Sequence, residues 1–139
     1  MPLNRHKERE IVFQLLFAAG FSPEAASEDL FPVLLEEREE EGAAESDYIR
    51  EVFFGARAYR AEAEEKIARA AKGWKLERLS RTTRTLLLLA VFEMDCYEKL
   101  SPSIAVNEAV ELAKKYDDEK APKFINGVLG AVAKEAAGA

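Results

Sequence analysis

The sequence predicts an all-α fold. Apolar residues recur three and four positions apart in several separate segments, which is the spacing of one helix face. No segment shows the strict apolar and polar alternation of a half-buried strand. The 139 residues fit one domain, residues 1–139, which is long enough to bury a core without disulfides or metal. We expect about seven helical segments within it.

The first two segments have clear start signals. Asn4 is a favourable N-cap residue, and Gly20 ends the first segment. Residues 22–24, Ser-Pro-Glu, open the second segment, because Ser can cap, Pro suits the first helical position and an acidic residue favours the positive end of the helix dipole. The second segment runs into an acidic stretch at residues 36–41.

A long third helix is predicted over residues 46–70, where the apolar positions alternate in steps of three and four. Gly73 and Trp74 interrupt this pattern. We expect Trp74 to anchor the core rather than to be a binding residue, because a large aromatic side chain gains most from burial. A short helical turn at residues 76–79 forms the fourth segment.

The last three segments form the rest of the core. Residues 82–97 have a centre at 86–92 that is apolar on every side, which predicts a central buried helix. The sixth segment starts at residues 101–103, and the seventh follows a polar break at residues 117–122. Gly127 lies inside the seventh helix, where it costs about 1 kcal/mol relative to Ala, so we expect it to permit close packing.

Composition argues against several classes of function. One histidine, one cysteine, no Gly-rich phosphate loop and no helical metal-ligand pair indicate that the protein is not an enzyme. A lone Cys96 forms no internal disulfide and is expected to be a small buried side chain. Charges at residues 5–10 are atypical of a signal peptide, and the longest apolar run is too short to span a membrane. We therefore expect a cytoplasmic protein without membrane contact.

The charge is unevenly distributed. A net charge of −6 argues against a protein that coats nucleic acid in general. However, residues 22–51 carry eleven acidic and two basic residues, whereas residues 52–84 carry nine basic and four acidic residues. A site for RNA would therefore be a local patch.

Two groups of cations are candidates for such a patch. The N-terminal cluster, Arg5, His6, Lys7 and Arg9, is expected outside the core, where it could pair with phosphates. The alternative is a charged, solvated helix start, because Glu8 and Glu10 dilute the cluster.

The second group lies at the start of the seventh helix. Lys120 and Lys123 combine cations with the ring of Phe124, which could stack on an unpaired base. The alternative places Phe124 in the core, continuous with Val128. Periodicity does not decide between the two.

Two motifs in the last third carry a family resemblance. VNEAVELAKKY at residues 106–116 and KFINGVLG at residues 123–130 stand in an order and at a distance that generic helices do not explain. Together with QLLF at residues 14–17 and the segment 84–94, they make the chain resemble the NusB family of bacterial transcription antitermination factors. The resemblance implies two packed helical bundles, and binding of boxA-type RNA together with NusE, a ribosomal small-subunit protein. It implies no cofactor.

The resemblance also implies roles for particular residues. Arg5, Lys7 and Arg9 match an arginine-rich N-terminal motif, although His6 and Lys7 stand where arginines are frequent. Phe17 stands where a tyrosine is common. Lys123, Phe124 and Asn126 match the Lys-Phe and the Asn of the C-terminal motif. The helix over residues 82–95 is expected to face NusE, through Thr83, Arg84 and Phe92.

The expected function is thus antitermination: capture of a short single-stranded RNA with NusE, within the transcription elongation complex, during ribosomal RNA synthesis. An alternative is a helical protein-interaction module with little intrinsic RNA binding, which the net acidity favours. A homodimer also stays open, because relatives include monomers and dimers.

Overall fold

The computed structural model describes residues 3–20, 30–36, 42–98 and 100–138. Within these residues it has seven α-helices and no strand, which confirms the all-α prediction. The helices are α1 (Arg5–Ala19), α2 (Leu30–Glu36), α3 (Asp47–Ala58), α4 (Arg60–Ala70), α5 (Arg81–Asp95), α6 (Pro102–Tyr116) and α7 (Ala121–Gly138). Short 3-10 turns occupy Ala43–Glu45 and Leu76–Arg78. The chain forms two compact units, Met1–Ala58 and Tyr59–Ala139.

In the first unit, α1 has the ends that the sequence predicts. The Asn4 side chain accepts a hydrogen bond from the backbone N–H of Lys7 at 2.8 Å, and Gly20 follows the last turn with φ 68°. The predicted start of the second helix, residues 22–24, lies outside the described residues, as do residues 37–41 of the acidic run. The buried apolar residues of α1 are Ile11, Val12, Phe13, Leu15, Leu16 and Ala19.

The prediction of one continuous helix over residues 46–70 is wrong. The helix α3 ends at Ala58 and α4 begins at Arg60. Between them Tyr59 has φ −88° and ψ 0°, well away from the ψ of about −42° of an α-helix. No glycine or proline marks this position, and the apolar spacing continues across it, so the sequence gives no sign of the interruption.

In the second unit, α5 is the central helix that the sequence predicts, because every residue from 85 to 93 is buried. Ser80 caps its start, because the Ser80 hydroxyl oxygen accepts a hydrogen bond from the backbone N–H of Thr83 at 3.0 Å. The helices α6 and α7 each have a buried apolar face, which includes Ala109 and Leu112 of α6 and Ile125 and Leu129 of α7. None of the helices in the described part of the chain is long and apolar enough to cross a membrane.

Three expectations about packing in this unit are wrong. Trp74 is 57% exposed and does not anchor the core. Cys96 is exposed rather than buried. Gly127 lies on the exposed face of α7, and a Cβ atom there would meet nothing within 4 Å, so no close packing requires the glycine. Helical periodicity predicts which face of a helix is apolar, but it says little about residues in loops or at the edge of that face.

Candidate nucleic-acid interface

The N-terminal cluster lies on the first turns of α1, where most of its cations contact other side chains. The Arg5 Nε atom lies 3.3 Å from Glu8 Oε1, and the Arg5 guanidinium stands 4.2 Å from the centre of the Tyr48 ring. The Lys7 ammonium lies 3.8 Å from Glu10 Oε1. Arg5 and His6 are exposed and Lys7 is half-exposed. The three side chains therefore reach solvent, although the charges of Arg5 and Lys7 are shared with neighbouring carboxylates.

Arg9 differs from the other members of the cluster. It is only 4% exposed, and its guanidinium lies 5.7 Å from the Tyr48 ring centre. The expectation that Arg9 lies outside the core is therefore wrong. An arginine in this position contributes through its aliphatic stem and its ring contact as much as through its charge.

Glu8 connects the start of α1 to the start of α3 in the same unit. Ser46 donates a short hydrogen bond from its hydroxyl to Glu8 Oε2, and the same hydroxyl accepts from the N–H of Ile49 at 3.1 Å. Glu8 thus holds α1 against the N-terminus of α3 while its other oxygen faces Arg5. The acidic residues that dilute the cluster in sequence have a structural role.

Phe17, near the end of α1, is 36% exposed and lies 6.1 Å from the ring of Phe13. One part of its ring packs within the unit, and the other part reaches solvent. The ring is therefore partly exposed and partly packed.

The start of α7 presents the second group of cations. Asp118 accepts hydrogen bonds from the N–H groups of Lys120 and Ala121 at 2.9 and 3.0 Å, which fixes the first turn. Lys120 and Lys123 are exposed, and neither ammonium has an ion-pair partner among the described residues. Asn126 is exposed one turn further along the same helix. These side chains are therefore presented to solvent by a capped helix.

Phe124 is half-buried, so it is neither a fully exposed stacking residue nor a fully buried core residue. Its ring packs edge-on against Trp74, with the ring centres 5.4 Å apart and the planes at 69°. Sequence reasoning missed this neighbour of Phe124. No sequence pattern marks a ring contact between residues fifty positions apart, although residues 66–76, with four cations and no carboxylate, show that the surroundings of Trp74 are basic.

The three residues proposed to face NusE make contacts within the second unit. Thr83 is buried, and its hydroxyl donates a hydrogen bond to Asp117 Oδ2 at 2.6 Å. Arg84 forms an ion pair in which Nη2 lies 2.6 Å from Glu64 Oε2. Phe92 is 7% exposed. Thr83 and Phe92 therefore offer little exposed surface, whereas Arg84 is half-buried, and the role of all three in partner binding stays a prediction.

A hydrogen-bonded triad joins α4 to α5. Tyr59 donates from its hydroxyl to Asp95 Oδ2 at 2.7 Å, and the Lys66 ammonium lies 2.6 Å from the same oxygen. The hydrogen bond to Asp95 raises the pKa of Lys66, and partial burial together with Asp95 raises the pKa of Tyr59. Lys66 is thus a cation committed to the fold.

The N-terminal cluster and the start of α7 fall in different units, and each is described by itself. The sequence model of the NusB family matches residues 6–134 of this chain. The chain belongs to the NusB family of transcription antitermination proteins. The resemblance drawn from the two C-terminal motifs is confirmed.

Related proteins agree with this assignment along nearly the whole chain. The transcription antitermination protein NusB of Ligilactobacillus salivarius is 40% identical over 130 residues, which cover 93% of this chain and 97% of that protein. A structure of T. maritima NusB is similar with a TM-score of 0.81 and 30% identity, covering 97% of this chain and 94% of that one. A crystal structure of NusB and NusE in complex with dsRNA is similar with a TM-score of 0.75 and 28% identity, covering 96% and 99%.

Proposed function

We propose that this chain binds boxA-type single-stranded RNA together with a NusE-type ribosomal protein, and thereby promotes processive transcription of ribosomal RNA operons by the elongation complex. The observation that most supports this proposal is the start of α7, where exposed Lys120, Lys123 and Asn126 adjoin the half-buried ring of Phe124. The similar structure of a NusB with NusE and dsRNA supports the same class of partners.

Recognition at α7 needs no chemical step. The two lysines would pair with phosphates, and Phe124 would stack on an unpaired base, while the amide of Asn126 can donate to and accept from a base edge. Because Asp118 accepts two backbone N–H groups, the backbone that carries these groups is ordered before RNA arrives. Little backbone order would then have to be gained on binding, whereas the exposed lysine side chains would still lose rotamer freedom.

The N-terminal cluster would act in two ways. The side chains of Arg5 and Lys7 are 44% and 41% exposed, although their partners Glu8 and Glu10 are largely buried, so a phosphate would approach the two cations from the solvent side while the carboxylate contacts remain. His6 is exposed and can reach a phosphate or a base edge, and Phe17 offers a second ring. Arg9 would support the site by holding α1 rather than by reaching RNA.

A second candidate is a protein-interaction module with little intrinsic RNA binding. The burial of Arg9 and the carboxylate contacts of Arg5 and Lys7 favour it, because they leave the N-terminal cluster with less available charge than the sequence suggests. The net charge of −6 also favours a protein partner over RNA, because it repels phosphates. In that case NusE would bind with equal affinity in the presence and absence of RNA.

The test is a titration of fluorescein-labelled RNA followed by anisotropy, with and without NusE, at several salt concentrations. The RNAs are a boxA-like single strand, a scrambled strand of the same composition and a duplex of the boxA-like sequence. We expect preference for the boxA-like strand and a log–log salt slope of roughly −2 to −3.5, as for three to five neutralised phosphates. Equal binding of the scrambled strand, or an affinity independent of salt, would contradict the proposal. NusE binding without RNA binding would establish the second candidate.

A further inference from the structure

The second unit exposes a tryptophan beside the ring proposed to stack on RNA. Trp74 is 57% exposed, although a side chain of this size is usually well buried. Its ring contacts Phe124 edge-to-face with centres 5.4 Å apart. The contact covers only part of the indole, so much of the ring remains open to solvent.

Trp74 is held in this position by an ordered turn between α4 and α5. Gly73 adopts φ 84°, a conformation that favours glycine, and the N–H of Trp74 donates to the carbonyl of Ala71 at 3.0 Å. The following 3-10 turn is closed by the N–H of Arg78, which donates to the carbonyl of Lys75 at 3.0 Å. The exposure of the indole is therefore a property of the folded turn.

The charges near Trp74 in the sequence are those that would attract phosphate. Lys72 and Lys75 flank it, are exposed and have no ion-pair partner among the described residues. Lys120 and Lys123, which precede Phe124, are likewise exposed and have no ion-pair partner among the described residues. Of the nearby acidic residues, Asp118 is engaged by two backbone N–H groups, and Glu77 and Glu119 are exposed, so four lysines stand against two exposed carboxylates. Four cations next to two rings match a single-stranded nucleic acid better than an apolar partner.

We propose that Trp74 stacks on a second unpaired base of the RNA, next to the base that stacks on Phe124, and that Lys72 and Lys75 pair with the phosphates of that segment. This inference rests on the proposed function and extends its site from the start of α7 to the turn between α4 and α5. Because the two ring planes meet at 69°, the two bases would be splayed apart rather than stacked on each other.

The chain offers a direct reporter, since Trp74 is its single tryptophan. Tryptophan emission is recorded while the unlabelled boxA-like single strand is added to the full chain, with and without NusE. Trp74→Phe is titrated in parallel, and its signal is subtracted to remove any emission from NusE. We expect RNA to quench the Trp74 emission and to protect the indole from quenching by acrylamide.

The energetic arm uses fluorescein-labelled RNA and three variants. Trp74→Ala is expected to weaken binding roughly tenfold, within the range measured for loss of one stacked base. Trp74→Phe, which keeps an aromatic face, is expected to restore most of the affinity. Ile104→Ala is the matched control, because Ile104 is a similarly exposed apolar residue of the same unit, at 49%, outside the ring pair. It should change the affinity less than twofold.

The outcomes separate the two proposals. If RNA binds but Trp74→Ala keeps its affinity within twofold, the inference is wrong while the proposed function stands. Unchanged emission on RNA binding would overturn it as well, and this measurement on the wild-type chain does not depend on the folding of a variant. If RNA does not bind with or without NusE, the proposed function fails and the inference fails with it.

Discussion

The N-terminal cluster of the first unit and the lysines around Trp74 and Phe124 in the second unit look alike in sequence but differ in the folded chain. Arg5 and Lys7 lie against carboxylates, and Arg9 is 4% exposed. Lys120 and Lys123, in contrast, have no ion-pair partner among the described residues. A run of cations therefore does not by itself indicate a binding surface, because some of the cations stabilise the fold.

The largest expected effect concerns the N-terminal cluster and tests whether Arg9 stabilises the fold. Arg9→Ala should lower the free energy of unfolding by about 2 kcal/mol, because it removes a buried stem and a ring contact. Lys123→Ala should change it by less than about 0.5 kcal/mol, as is usual for an exposed residue. Urea denaturation of both variants measures the difference.

Arg9→Met is the matched control for packing, because it keeps most of the length of the stem and removes the charge. It should recover part of the lost stability. The contrast between the two clusters would be reversed if Arg9→Ala left unfolding unchanged and weakened RNA binding instead.

The next effect concerns the second unit. The double variant Lys120→Ala, Lys123→Ala should weaken binding of the boxA-like strand roughly tenfold, and should reduce the magnitude of the salt slope by about 1.4, or 0.7 per lost phosphate contact. Anisotropy titrations across a salt series measure both quantities.

The control is Lys114→Ala, Lys134→Ala, which changes the net charge by the same amount with two lysines outside the site. It should lower affinity only slightly and leave the salt slope within error of the wild type. Equal losses in the two double variants would mean that the overall field, rather than the start of α7, attracts RNA.

The sequence predicted the helical class well because helix faces are repetitive. Apolar spacing identified the buried face of α1 and the fully buried centre of α5, and the capping residue Asn4 placed the start of α1. The errors fall at Tyr59, Trp74, Cys96, Arg9 and Gly127, where the outcome depends on a single dihedral angle or on neighbours distant in sequence. Arg9 is buried against Tyr48, about forty residues further along the chain, and local pattern contains no information about such a contact.

Gly127 provides a smaller effect on the same helix that presents Lys123. Gly127→Ala should raise the free energy of unfolding by about 0.5–1 kcal/mol, because an added Cβ meets open space and Ala favours the helix. Thermal unfolding of the variant gives the answer. Nothing in the described residues explains the glycine, so a loss of stability would show that the exposed face of α7 packs against something in the isolated protein.

The smallest expected effect compares Lys66 with Lys72 and Lys75, the lysines of the same basic segment that have no ion-pair partner among the described residues. Lys66 and Tyr59 have raised pKa values in the folded chain, so the folded state holds their protons more tightly than the unfolded chain does. Their contribution is complete below the ordinary pKa values of 10.0 and 10.5, and it is lost as the pH rises through the higher values of the folded state. Lys66 is one-third exposed, at 33%, so the effect should stay below about 1 kcal/mol.

Asp95→Asn tests this assignment, because it removes the charge to which both groups are hydrogen-bonded. Urea denaturation from neutral pH to above pH 10 should show a steeper loss of stability in the wild type than in Asp95→Asn. Lys72→Ala, which removes a lysine without an ion pair, should retain the wild-type steepness. The opposite outcome is that Lys72→Ala flattens the pH dependence as much as Asp95→Asn does. Lys72 would then also stabilise the fold. The lysines next to Trp74 would in that case not differ from the cations of the N-terminal cluster.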